Sequence, residues 1–225
     1  MKRLLSFLTV LLLLIPTAVD ASSTKVNNIG ITCQIDQNGT ATFVEKWDMD
    51  VSEGTEGYKI FNGMNDQPLT LIGVTDDRGV TYKNIGTWDS DVSRESKINK
   101  CGLIKDGGHY ELCFGLGDYG TRSYTMIYQI EHFVNQYKDQ QGINYAFISD
   151  MSLDVSNVTI HVTGMTPYNK ENAKIWAFGY SGSVNFDNGG VTLKTDSLGS
   201  NKMQLLMGLE SNSYTSPNTS EFRAS

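Results

Sequence analysis

Apolar residues recur at every second position through most of this chain. Ile29, Ile31, Cys33 and Ile35 share one face of a segment whose other face carries Thr32, Gln34 and Asp36. That is the two-residue period of a half-buried β-strand, not the 3.6-residue period of a helix. Asp36-Gln37-Asn38-Gly39 then supplies a hairpin turn, and ATFVEKW returns as a second strand. The same grammar repeats. LTLIGV runs into Asp76-Asp77-Arg78-Gly79 and the short strand VTY. Val158, Ile160 and Val162 alternate with polar residues. Val184 and Phe186 lead through Asp187-Asn188-Gly189-Gly190 to Val191 and Leu193, and Met203, Leu205, Met207 and Leu209 alternate near the end. The pattern predicts an all-β, mainly antiparallel fold: a β-sandwich, immunoglobulin-like or jelly-roll-like, with at most short helices. The two stretches nearest to helical spacing are Thr55 to Phe61 and Thr166 to Asn172.

The first 21 residues do not fit this grammar. Lys2 and Arg3 precede an almost wholly apolar run from Leu4 to Ile15; Pro16 breaks it, and Val19-Asp20-Ala21 offers a cleavage site. This layout predicts a secretory signal peptide at 1–21, since the run is shorter than the roughly 20 apolar residues of a spanning helix. The expected organisation is one extracytoplasmic domain at 22–210 and a disordered polar tail at 211–225. The whole chain carries 18 basic and 25 acidic residues. Cleavage after Ala21 would leave 16 and 24, a net charge of −8. That balance argues against a nucleic-acid partner, which calls for a basic footprint, and against a polybasic membrane-surface patch.

Few motifs carry chemistry. Phe114 to Gly120, FGLGDYG, spells G-x-G-x-x-G, but the nucleotide reading requires a strand before the motif and a helix after it. Here Tyr110, Leu112 and Phe114 alternate before it, and Tyr124, Met126, Tyr128 and Ile130 alternate after it. The three glycines are therefore read as a strand-to-strand connection, with no bound cofactor expected. Gly179-Tyr180-Ser181-Gly182-Ser183 falls one residue short of a nucleophile elbow and lies between strands, so Ser181 is read as a turn residue. His109, His132 and His161 stand apart from any nucleophile motif. With no C-x-x-C pair, no zinc site is expected.

Asp48 with Asp50, Asp76 with Asp77, and Asp89 with Asp91 are close carboxylate pairs without a specific Ca²⁺ or glycosidase signature. Trp88-Asp89 and Ile175-Trp176-Ala177-Phe178 are aromatic enough for a sugar-binding face, but filling the core is the expectation for them. Cys101 and Cys113 flank Lys105 to Gly108 and are read as equally far from the tip of a hairpin there, which makes them the candidate disulfide of an exported chain. Cys33, on the apolar face of its strand, is expected to be a buried thiol.

Several stretches, in order, resemble a known family: NGTATFVEKWD, GTEGYKIFNGM, INKCGLIKDGGHYELCFGLGDYGTRSYTMIYQIEHFV, INYAFI and IWAFGYSGSVNFDNG. They are similar to the N-terminal extracytoplasmic domain of the bacterial "predicted membrane protein" family, domain of unknown function 2207, from about Ile29 to Leu209. The resemblance implies a β-rich domain held outside the cell, with transmembrane helices and a glycine- and serine-rich tail usually following. It assigns no catalytic residues. The chain departs from that pattern by stopping at Ser225 without a membrane segment, so membrane attachment is expected only through a downstream anchor. The resulting expectation is a non-enzymatic binding or interaction module at the cell surface, with an unknown protein or glycan as partner. A glycan- or cell-wall-acting enzyme and a carbohydrate-binding module are the alternatives.

Overall fold

The computed structural model describes residues 24–64, 67–149, 151–198, 202–215 and 218–219. The predicted signal peptide at 1–21 lies outside the described residues. The fold is all-β and mainly antiparallel. A seven-stranded sheet runs in the spatial order β13 (Ser183–Asp187), β14 (Gly190–Thr195), β11 (Val155–Thr163), β1 (Lys25–Ile35), β2 (Ala41–Val51), β8 (Gly120–Ile130) and β4 (Leu69–Asp76). A five-stranded sheet follows the order β12 (Ala173–Phe178), β15 (Met203–Leu209), β10 (Gln141–Ile148), β9 (Asn135–Gln136) and β16 (Asn218–Thr219). The third sheet is β3 (Glu56–Phe61), β7 (His109–Gly115), β6 (Lys100–Asp106) and β5 (Lys83–Thr87). Among the described residues, β1 with β11, β5 with β6 and β9 with β16 pair in parallel, and the other ladders are antiparallel.

The alternation read from the sequence becomes rows across the large sheet. Val162, Cys33, Phe43 and Tyr128 register with one another, as do Val158, Ile29, Trp47 and Tyr124. These residues are buried and face the core. The two smaller sheets close over that same face. Trp47 meets Phe114 of the four-stranded sheet edge-on at 6.4 Å between ring centroids, and Phe61 meets Tyr128 at 5.2 Å. On the other side Phe43 lies 5.9 Å from Tyr145 and 6.1 Å from Phe147, both of the five-stranded sheet. Burial of each such ring stabilises the fold by about 1.5–3 kcal/mol.

Two local expectations are corrected. Residues 56–61 form strand β3, with Gly57, Lys59 and Phe61 inward and Tyr58 outward. An inward lysine hides the period-2 pattern there. Thr166 to Asn172 contains no helix: Asn169 Oδ1 accepts the N–H groups of Glu171 and Asn172, a side-chain turn that competes with helix formation. The helix that does form is a single turn, α1 (Arg94–Lys97).

The start of the predicted tail is also ordered. Tyr214 is buried, its hydroxyl 2.5 Å from that of Tyr168, and Gln141 brackets its peptide through hydrogen bonds of 2.6 and 2.7 Å. A single aromatic residue in a polar stretch is enough to anchor it.

Candidate functional site

Strand β2 alternates Phe43, Glu45 and Trp47 on its core face, which places a carboxylate in an apolar row between Ile31 and Met126. Glu45 is fully buried. A buried carboxylate needs matched donors, because desolvation of an unpaired charge is prohibitive. Four hydrogen-bond contacts satisfy it. Trp47 Nε1 donates to Oε1 at 2.7 Å and the Tyr128 hydroxyl to Oε2 at 2.7 Å. Lys59 Nζ lies 3.0 Å from both oxygens. Lys59, 6% exposed, donates also to the Phe147 carbonyl at 2.7 Å. Burial, then the neighbouring Glu45 charge, pushes the Tyr128 phenol well above its ordinary range, so it remains a donor.

Beside this ion pair lies a cavity of about 210 Å³. Its apolar wall draws Trp47 from β2, Ile60 from β3, Leu116 from the FGLGDYG loop, Ile148 from the end of β10, and Met151 and Leu153 from the segment after it. Lys59 lines it as well, with Glu53, Glu56 and Ser149 among the polar lining groups. For scale, an apolar cavity of about 150 Å³ accommodates benzene. Neither Lys59 nor Glu45 was singled out by sequence reasoning. The signal was present at Glu45, between Phe43 and Trp47 at alternate positions of a strand.

A second, partly buried ion pair flanks the cavity through Glu56 of its lining. Lys97, 3% exposed, lies 3.0 Å from Glu56 Oε2, which also accepts the Trp88 indole N–H at 2.7 Å; Lys97 donates in addition to the Ser90 carbonyl. The FGLGDYG loop is fastened beside it. The guanidinium of Arg94 donates to the Gly117 carbonyl and sits 4.7 Å above the Tyr119 ring, while Tyr119 Oη donates to the Gly54 carbonyl at 2.9 Å. Gly120 adopts φ +102°, which favours glycine. Gly115 runs alongside Ile98, so close that a Cβ there would overlap the Lys97 carbonyl. A Cβ at Gly117 would meet only ordinary contacts, the Arg78 guanidinium at 3.7 Å and the Ile98 side chain at 3.9 Å.

The other sequence candidates are structural. Cys101 stands opposite Phe114, and Gly102 opposite Cys113, because the hairpin turns on Gly107-Gly108 and closes at Asp106 with His109. The one-residue offset sends the two cysteines to opposite faces, and the candidate disulfide is replaced by free thiols; Cys33 is free too, and buried as expected. Burial pushes the Cys101 thiol up to about 11; burial, reinforced by Glu56 and Glu111, pushes Cys113 up to about 12. Asp89 Oδ1 accepts the Asp91 N–H in a local turn. Asp48 bonds Ser123 and Lys46, and Asp50 bonds Asn27 and Thr121. His161 Nδ1 is 2.9 Å from Thr192 Oγ1, and His109 sits between Asn62 and Glu111. The Ser181 carbonyl accepts from Thr195 Oγ1. Among the described residues, no three His, Cys, Asp or Glu side chains are grouped to hold a metal ion.

The pair Asp76 and Asp77 anchors an ionic network. Asp76 binds Arg78 at 2.9 Å and Arg122 at 3.3 Å, Arg122 reaches Asp77 at 2.6 Å, and Arg78 reaches Asp118 of the glycine loop at 2.6 Å. Burial pushes the Asp76 carboxyl upward. The Arg78 side chain and the Val80 and Arg78 N–H groups outweigh it, leaving the pKa below the ordinary 3.8. A carboxyl depressed on folding contributes stability that is complete above the unfolded pKa and is lost as the pH falls through the folded one. Urea midpoints should therefore hold down to about pH 5 and fall below the unfolded value. Asp76→Asn should make that acid fall shallower, with Asp48 and Asp50, also depressed, retaining part of it. An unchanged slope would remove Asp76 as a source.

Residues 25–203 match the family described as "Predicted membrane protein (DUF2207) N-terminal domain". The chain belongs to this family. No helix among the described residues of this DUF2207 domain is long and apolar enough to cross a membrane. No curated protein matches the sequence. Similar solved structures include native leukotriene A4 hydrolase from Saccharomyces cerevisiae, at 8% identity and TM-score 0.51, covering 83% of this chain and 29% of that one. The yeast enzyme in complex with bestatin gives 7% identity and TM-score 0.50, covering 84% and 29%. An M1 zinc metallopeptidase from Deinococcus radiodurans gives 10% identity and TM-score 0.40, covering 83% and 42%. The chain thus spans less than half the length of these structures, and at such identities the likeness to the yeast enzyme is one of fold.

Proposed function

We propose that this DUF2207 domain is an exported, non-enzymatic interaction module on the outer face of the cell, and that its cavity receives a compact apolar group of a partner. The cavity carries the reading: its wall is largely apolar, Lys59 in its lining is held by the buried Glu45, and Lys97 is held by Glu56 of the lining. Lys59 is committed to Glu45 and the Phe147 carbonyl, and Lys97 to Glu56 and the Ser90 carbonyl. Such an arrangement favours binding over proton transfer. The likeness to peptidase structures supports a shared scaffold, and scaffolds are reused across unrelated functions.

The test uses n-hexanol and benzene as probes, titrated against the fluorescence of Trp47 in the wall. Saturable binding is expected in the native domain, and Met151→Trp, which fills the cavity, should weaken it more than about tenfold. No saturable response in the native domain, or an unchanged response in the variant, would remove the cavity as the site. Turnover of a peptide or glycan by the purified domain would overturn the non-enzymatic part.

A further inference from the structure

The five-stranded sheet buries one face and leaves the other to solvent. On its edge strand β12, Trp176 and Phe178 are two residues apart and therefore point the same way; they are 47% and 49% exposed. The core-filling expectation for this stretch is corrected: Trp88 is buried, but Trp176 is not. Single exposed aromatics are ordinary, whereas two side by side on one sheet face form a platform.

What lies beside the platform decides its chemistry. Trp176 registers with Leu206, which registers with Asn144; Phe178 registers with Gln204, which registers with Ala146. Asn144 is thus two strands from Trp176, roughly 10 Å at the usual strand spacing. Asn144, Gln204 and Gln67 line a groove of about 640 Å³ that opens there, between the outer face of this sheet and the loop after β3. Gln204 Nε2 donates to Asn144 Oδ1, and Gln67 Nε2 donates to the His132 carbonyl. The remaining polar atoms of these three side chains include both donors and acceptors: the Asn144 amide N–H groups and the Gln204 and Gln67 amide oxygens. Among the described lining residues Lys202 is the one charged side chain, and there is no arginine, aspartate or glutamate. An aromatic face beside amide donors and acceptors is the chemistry that recognises a pyranose ring. Its axial C–H groups lie against the ring faces, and its hydroxyls need partners that both donate and accept. The net charge of −7 further disfavours a polyanion.

We infer that this face binds an uncharged pyranosyl oligosaccharide, with Trp176 and Phe178 as the stacking platform and Asn144, Gln204 and Gln67 as hydrogen-bonding groups. The groove shares Ser149 with the lining of the apolar cavity, but the five binding residues named here are not among the cavity's lining residues.

Cellohexaose, chitohexaose and maltohexaose are the probes, titrated by calorimetry into the full domain. At least one is expected to bind saturably. Trp176→Ala should weaken it about tenfold or more, the scale of losing one anchoring aromatic, while Trp176→Phe retains most of the affinity. Gln204→Ala should weaken it as well. Because Trp176 is exposed, its variants should melt as the native domain does. Met151→Trp should leave sugar binding unchanged, so failure of the cavity reading and failure of this one are told apart. The inference is overturned if none of the three sugars binds, if Trp176→Ala binds as tightly as the native domain, or if Met151→Trp abolishes binding.

Discussion

Replacement of Lys59 by methionine is expected to destabilise the domain by about 3–5 kcal/mol, the range for removing one partner of a buried ion pair. The aliphatic stem fits the methionine, so little of the loss comes from packing. It comes from the Glu45 carboxylate, fully buried and left with only the Trp47 and Tyr128 donors, and from the Phe147 carbonyl, which loses its side-chain donor. Urea unfolding read by tryptophan fluorescence measures the change. The double variant Glu45→Gln with Lys59→Met should recover a large share, because it removes the uncompensated charge instead of stranding it. A single variant within about 0.5 kcal/mol of the native domain would mean that water reaches the pair, a result at odds with its burial.

Gly115→Ala should cost about 1–3 kcal/mol or more, the range for inserting atoms into a close-packed site. The added methyl would overlap the backbone carbonyl of Lys97, not the end of a side chain that can swing away. Relief requires α1 to move, and with it Lys97, whose ammonium holds Glu56, Thr55 and Ser90. Gly117→Ala, two residues on, is the matched control. Its nearest neighbour would be an arginine side-chain atom at 3.7 Å, so a change within about 0.5 kcal/mol is expected. Equal effects at the two positions would defeat the close-approach account of this loop.

The strand grammar was legible because the rows of the large sheet are pure: Ile29, Ile31, Cys33 and Ile35 alternate without exception, and so do Tyr124, Met126, Tyr128 and Ile130. It failed where the core face carries a charge. Lys59 made β3 look unlike a strand, and Glu45 went unremarked although it stands between Phe43 and Trp47 at alternate positions of β2. The pairing of β1 with β11 joins residues 129 positions apart, and no local pattern announces it. The cysteine register turned on one residue of hairpin geometry: a tip at Gly107-Gly108, half a step from the assumed one, reverses which face Cys113 takes. The FGLGDYG glycines were read correctly as a connection between strands, but their reasons differ: contact at Gly115, dihedral at Gly120, neither at Gly117. The aromatic stretch at Ile175 to Phe178 divides by parity, and sequence alone could not say which parity faced outward.

The two smaller sheets rest on a common floor without a ladder between them. They behave as two leaves meeting at a seam, and the Lys59 ammonium is its stitch, reaching from β3 to the Phe147 carbonyl of β10 while bound to Glu45 in the floor. The apolar cavity opens along that seam, with Ile60 on one leaf and Ile148 on the other. An occupant there acts as a wedge: it works against side-chain packing and one ammonium bond, and leaves every strand ladder whole. Among the described residues, the two leaves are thus joined across the seam by side-chain packing and this ammonium, while each leaf keeps its own backbone ladders.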